Sequence, residues 1–385
     1  MRVYVCPALM DWLLSLVLFA VSYGAGERGM TLGQVAWLGA IFWVTYMPTS
    51  LLSGRFLSRR NALPVLIASA VGGILSGTLG LVAHQFWPIF AAMALLGAFA
   101  ASFFNSFQSF MRGETAPGGL TRTMALYTFA WSGGCSLGLV TSGSLYRLGP
   151  IALGGLTVFV GGVILLTLLV HRQRPHDEPS SDEHTEQGPP GSPPVAPQYV
   201  WAGWIIIFTA MFVQRPILTF YPAICAQQGI APVLAGLPLF LHVLVQALGG
   251  LGMGRLRHWL YRRGPLTAVQ LLAALLLLLL WRFPAYAVTA AGISVLGLWA
   301  GFSFFCAVYY SSNAGHRSRN VGINEFLVGL GSFASLFVCE WFIPDIGSAA
   351  VMYAVCGVAL LVSAAAQWGV LTWKKAEAVS RTASS

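Results

Sequence analysis

One pattern occurs twice in this chain, about two hundred residues apart, and each copy lies among runs apolar enough to span a bilayer. Gly54-Arg55-Phe56-Leu57-Ser58-Arg59-Arg60 closes one pair of runs, and Gly254-Arg255-Leu256-Arg257-His258-Trp259-Leu260-Tyr261-Arg262-Arg263 closes another. Ser102-Phe103-Phe104 recurs as Ser303-Phe304-Phe305, and Gly29 has its counterpart in Gly229. A chain made of two copies of one membrane unit is expected to fold as two related helical bundles, the architecture of a carrier with its site where the repeats meet.

With 57% hydrophobic and 9% charged residues and a mean hydropathy of +0.73, the chain has too little polar surface for a water-soluble globule of this size. The formal net charge of +9 does not point to nucleic acid, because the basic residues form short clusters between apolar runs rather than one basic face. Cys6, Cys135, Cys225, Cys306, Cys339 and Cys356 lie scattered in apolar segments without metal-ligand spacing. They are expected to be buried thiols, and neither a metal nor a cofactor is expected. The run up to Tyr23 imitates a signal peptide, but it carries Asp11 and supplies the first helix of the first repeat, so no cleavage is expected.

At about 20 residues per span, twelve runs qualify: 3–23, 31–53, 62–83, 86–110, 120–144 and 150–170, then 200–224, 231–253, 265–282, 284–311, 321–343 and 347–373. The expected fold is therefore an all-α integral membrane protein, with an N-terminal six-helix bundle over 1–170 and a C-terminal one over 199–373. Between them, 171–198 packs Asp177, Glu178, Asp182, Glu183 and Glu186 among seven prolines, with no apolar periodicity; it reads as a disordered cytoplasmic linker. Residues 374–385 read as a cytoplasmic tail.

Arginines fix the orientation. Arg55, Arg59, Arg60, Arg112, Arg122, Arg255, Arg257, Arg262, Arg263, Arg317 and Arg319, with Lys374 and Lys375, all fall on the linker side, leaving Arg28, Arg147 and Arg282 opposite. The positive-inside rule puts both termini in the cytoplasm, and a bacterial inner (plasma) membrane is the expected location. Gly73-x-x-x-Gly77, Gly134-x-x-x-Gly138 and Gly250-x-x-x-Gly254 mark faces where helices approach closely.

Six plus six helices, a central linker and the basic stretch after the second helix resemble the major facilitator superfamily over essentially the whole chain. That family's loop signature, roughly G-x-L-a-D-R-x-G-R-[RK], is met by Gly54, by Leu57 one place late and by Arg59, while Ser58 takes the acidic position and Asn61 replaces the second glycine. The second copy keeps Gly254 and Arg262-Arg263-Gly264. The resemblance implies a gate at Gly54, Arg55, Arg59 and Arg255, relying on arginines at helix ends or lipid phosphate because the carboxylate is missing. The glycine-proline step of the antiporter branch is absent, since Leu139 follows Gly138.

Intramembrane ionisable residues are costly and mark sites or partners. Asp11 falls about 12 Å into the first helix at 1.5 Å per residue, with Ser15 and Ser22 on its face. It is the expected proton carrier, with a structural salt bridge as the alternative. Arg215, between Gln214 and Pro216, is expected to bind an anionic group, to pair with Asp11, or to satisfy carbonyls at the proline break. Asn105, Gln108 and Ser109 on helix four, with Tyr309 and Tyr310 on helix ten, are expected to line a cavity, the alternative being interhelical hydrogen bonds. Tyr127, Trp131, His242 and Gln246 are lesser candidates. Glu325, read as opening helix eleven, is expected to cap that helix or to meet Arg317 or Arg319 at the gate, and Glu340 to be solvated at the outer end.

These features suit a secondary transporter working by alternating access on a small anionic or polar solute, by proton symport, as a monomer in the lipid bilayer. The alternatives are a drug or lipophile efflux antiporter of the same fold, a polytopic membrane enzyme, or a non-transporting sensor. No H-E-x-x-H motif supports an enzyme. ATP drive is excluded because Lys374 and Lys375 are the only lysines and follow no phosphate-binding glycine loop.

Overall fold

The computed structural model describes residues 5–57, 61–112, 120–170, 198–253, 256, 259–312, 317–343 and 348–383. Twelve α-helices run through them: α1 (Val5–Glu27), α2 (Leu32–Phe56), α3 (Ala62–Val82), α4 (Phe86–Arg112), α5 (Leu120–Leu145), α6 (Pro150–Val170), α7 (Gln198–Gln227), α8 (Pro232–Met253), α9 (Arg263–Arg282), α10 (Tyr286–Ser312), α11 (Arg317–Phe342) and α12 (Val351–Ala383). All but α5 combine the length and hydropathy of a membrane span. The exception has a physical cause. Thr128, Ser132, Ser136 and Ser142 of α5 are buried against neighbouring helices, chiefly α1 and α8, so this helix needs little lipid-facing hydrocarbon.

The helix ends differ from the sequence expectation because caps and polar turns, not hydrophobicity, terminate them. α1 and α7 both run past their apolar cores to the same stop. Gly29 (φ 68°) and Gly229 (φ 71°) adopt the left-handed conformation that L side chains avoid. In the first turn the Met30 amide donates to the Ala25 carbonyl and Gly29 to Gly26; in the second, Ile230 donates to Cys225 and Gly229 to Ala226. This pair of bonds is the Schellman motif, made twice at an offset of two hundred residues. α11 starts at Arg317 rather than 321, and α12 continues past the apolar run to Ala383, so 374–383 is helical. The expected linker lies outside the described residues except for Gln198, which begins α7.

Each repeat packs the same way. In the first, a methyl group on Gly97 of α4 would lie 2.1 Å from the Phe42 carbonyl oxygen of α2; in the second, one on Gly297 of α10 would lie 2.1 Å from that of His242 on α8. Likewise Gly134 of α5 sits 1.8 Å, by the same measure, from the Ala8 carbonyl of α1, and Gly331 of α11 sits 2.4 Å from the Phe208 carbonyl of α7. Only hydrogen fits at these crossings. Gly134→Leu is expected to cost at least about 3 kcal/mol, the upper range for overpacking, whereas Gly133→Ala, with open space around it, should be neutral; melting temperatures of the purified variants check this.

The two bundles meet along α1–α7, α2–α11 and α5–α8. Leu75, Phe159, Leu272 and Val362, on α3, α6, α9 and α12, are exposed outward to what is lipid in a membrane. The start of α1 and the end of α12 belong to one face of the assembly, here the terminal face; the α1–α2 and α7–α8 turns lie on the other, the distal face.

Candidate functional site

Between the bundles lies a narrow cavity of about 40 Å³, room for about three waters. α1 contributes Ser15 and Ser22, α2 Trp43, α5 Cys135, and α7 Arg215 and Thr219. Arg215 reaches it from the turn before Pro216, where the missing proline N–H leaves an α7 carbonyl without its helical donor. Its guanidinium carbon lies 4.3 Å from the centroid of the Trp43 ring, in cation–π contact. Its Nε is buried and finds no hydrogen-bond partner among the described residues. A guanidinium held on an aromatic face with donors to spare is suited to receive an anion.

Asp11 is half-buried and close enough for the charge of Arg215 to act on it. The two make no ion-pair contact, the described ion pair being Arg147 with Glu27 at 3.2 Å on the distal face. Tyr46 of α2, also within the field of Asp11, donates its hydroxyl to Glu325 across the bundle interface at 3.1 Å. Glu325 therefore does not open α11. It lies eight residues in, about 12 Å along the helix axis, because α11 begins at Arg317, and its carboxylate is too deep to cap the helix dipole.

Gln214, His242 and Gln246 form a buried polar chain rather than a cavity wall. His242 Nδ1 lies 2.8 Å from the Ile293 carbonyl oxygen, which only accepts, so this nitrogen carries the proton. Its Nε2 then accepts from the Gln214 amide at 3.0 Å. The same amide nitrogen donates to Gln246 Oε1, and Gln246 Nε2 donates to Ser132 Oγ at 3.0 Å. The neutral ring is held in one tautomer, and all four side chains are buried.

The remaining sequence candidates separate. Asn105 donates to the Ser50 carbonyl at 3.1 Å, an interhelical bond between α4 and α2, which corrects the cavity-lining expectation for this residue. Tyr310 is corrected likewise. It is buried, and its hydroxyl accepts from the Tyr261 amide at 3.2 Å, in a cluster with Tyr199, Tyr261 and Tyr309 built at the α8–α9 turn. Tyr127 stacks on Phe107 with ring centroids 6.2 Å apart, and Trp131 meets Phe304 of the other bundle edge-on at 5.4 Å. Gln108 and Ser109 fall on α4, Gly54 and Arg55 in the last turn of α2, and Arg317 at the start of α11, with side chains outside the description. Arg59 and Arg255 lie outside the described residues. Trp43, Tyr46 and Ser132 were not singled out from sequence, and Cys135, expected to be a buried thiol, is half-buried at the cavity. The repeat offset was the available signal, because it maps Gln246 onto Tyr46.

Toward the distal face the cavity is closed by α1 and α7. Ser22 donates to the Thr219 carbonyl, Tyr23 to that of Ile230 at 2.7 Å, and Gln227 to that of Met30 at 2.8 Å. A methyl on Gly26 would lie 2.3 Å from the Ala223 carbonyl oxygen. These bonds and this close packing join the two bundles directly.

Two six-helix bundles related by internal repeat, with an arginine at a cavity between them, define a polytopic membrane carrier. A sequence profile of the Major Facilitator Superfamily matches residues 3–336, and the chain belongs to that superfamily of secondary transporters. No curated protein matches the chain.

Proposed function

We propose that this transporter moves a small solute bearing a carboxylate or phosphate together with protons, alternating access between the two faces. The observation that carries the reading is Arg215, whose guanidinium lies on Trp43 at the cavity with Nε unpartnered among the described residues. Asp11, within reach of that charge but not neutralised by contact, is the proposed proton carrier. A fixed guanidinium repels organic cations, which disfavours cationic drug efflux.

Proteoliposomes loaded with a pH-sensitive dye test the coupling. Adding carboxylates and organic phosphates at equal pH on both sides is expected to shift the lumen pH for at least one anion. No shift with any of them, from protein of verified fold, sinks the coupled-anion reading.

The terminal face is assigned to the cytoplasm on the arginine distribution. A cysteine introduced at position 185 is expected to resist impermeant maleimide in intact cells and to react after lysis. Labelling from outside would reverse the topology.

A further inference from the structure

The buried chain from Ser132 to His242 joins the two bundles and ends beside the cavity cation. Ser132 belongs to α5 of the first bundle; Gln246 and His242 belong to α8, and Gln214 to α7, of the second. Gln214 is the residue before Arg215, and Pro216 follows, so the backbone hydrogen-bond ladder is weakest where the guanidinium must be aimed. Both hydrogens of the Gln214 amide are committed, one to His242 and one to Gln246. The far end is anchored as well. Gly297 and Gly301 of α10 press on the carbonyls of His242 and Gln246, where a methyl would lie 2.1 and 2.4 Å away. A satisfied polar network in a low-dielectric interior holds one arrangement.

We propose that Gln246 is a positioning residue for transport: through Gln214 it holds Arg215 toward the cavity, and through Ser132 it makes that aim depend on the α5–α8 contact between the bundles. When the bundles rock, the orientation of the guanidinium follows α5, so anion attraction at the cavity is set by the conformational state. The inference rests on the reading of Arg215 as an anion-attracting group, and its test separates the two.

Cys135 supplies the probe. It lines the cavity with Arg215 and is half-buried, whereas the other five cysteines are buried. The full-length protein is treated with an anionic and a neutral methanethiosulfonate reagent, and modification at Cys135 is followed by mass spectrometry. Opening of the cavity enters both rates, so their ratio reports the local field; Asp11 acts on the same thiol, so the ratio is read as a change from wild type. Arg215→Gln is expected to lower the anionic-to-neutral ratio about tenfold, as loss of a nearby fixed charge requires. Gln246→Leu is expected to lower it by at least about threefold for a guanidinium released from its aim, Ser132→Ala in the same direction, and Ser132→Thr, which keeps the hydroxyl, not at all. A wild-type ratio in folded Gln246→Leu, or in Ser132→Ala should the leucine variant not fold, overturns the proposal while leaving the role of Arg215 intact. An unchanged ratio in Arg215→Gln overturns both.

Discussion

Asp11→Asn is expected to abolish uphill accumulation of solute while leaving exchange of labelled for unlabelled solute largely intact. The amide keeps the shape and hydrogen bonding of the carboxylate but takes up no proton. With one proton per solute, a gradient of one pH unit sustains about tenfold accumulation, since each factor of ten corresponds to about 1.4 kcal/mol. The variant should settle at a ratio near unity. Asp11 qualifies for the role because it is half-buried, feels Arg215 and is not locked to it in a salt bridge. Uphill transport equal to wild type would remove Asp11 from the mechanism and move coupling elsewhere.

Arg215→Gln is the second large effect. A charge-assisted hydrogen bond contributes about 1.5–3 kcal/mol, so losing the guanidinium should weaken binding of an anionic solute roughly 10- to 150-fold. Arg215→Lys should recover only part of this, because an ammonium lacks the planar fork. The stability cost should be smaller, limited to the Trp43 contact at roughly 0.5–2 kcal/mol. Thermal melts alongside binding curves separate the two losses. Recovery of stability in an Asp11→Asn, Arg215→Gln double variant would instead identify each as the counter-ion of the other.

Much of the architecture was legible because the membrane imposes it. Twelve apolar runs and a fixed offset between copies gave the helix number and the pairing of halves, and the same offset reappears in the Gly29 and Gly229 turns and in the Gly97 and Gly297 crossings. Helix ends were less legible, since hydropathy marks where hydrocarbon ends while a helix continues until a cap or turn stops it. That is why Glu325, placed by sequence at the head of α11, lies eight residues inside it and faces Tyr46.

The site divided along a different line. Asp11 and Arg215 stand out in any apolar helix because a charge there demands a reason. Hydroxyl and amide side chains do not declare theirs: Ser102 donates back to the Ala98 carbonyl of its own helix, Asn105 donates to α2, and Gln246 donates to α5. Which of them borders a cavity is decided by the packing of neighbouring helices. Trp43 escaped notice for the complementary reason. An aromatic residue in a membrane helix looks like lipid contact until the cation above it is seen.

The central claim is that Arg215 receives an anionic group of the transported solute. A thermal-shift screen of purified wild-type protein and Arg215→Gln against organic acids, organic phosphates, amino acids, sugars, nucleosides and cationic drugs tests it most directly, because a ligand that binds the folded state raises the melting temperature by an amount that grows with the logarithm of its concentration over Kd. The account predicts that at least one carboxylate or phosphate compound stabilises the wild type and loses that effect in Arg215→Gln. Stabilisation by neutral or cationic compounds alone, equal in the two proteins, would contradict it.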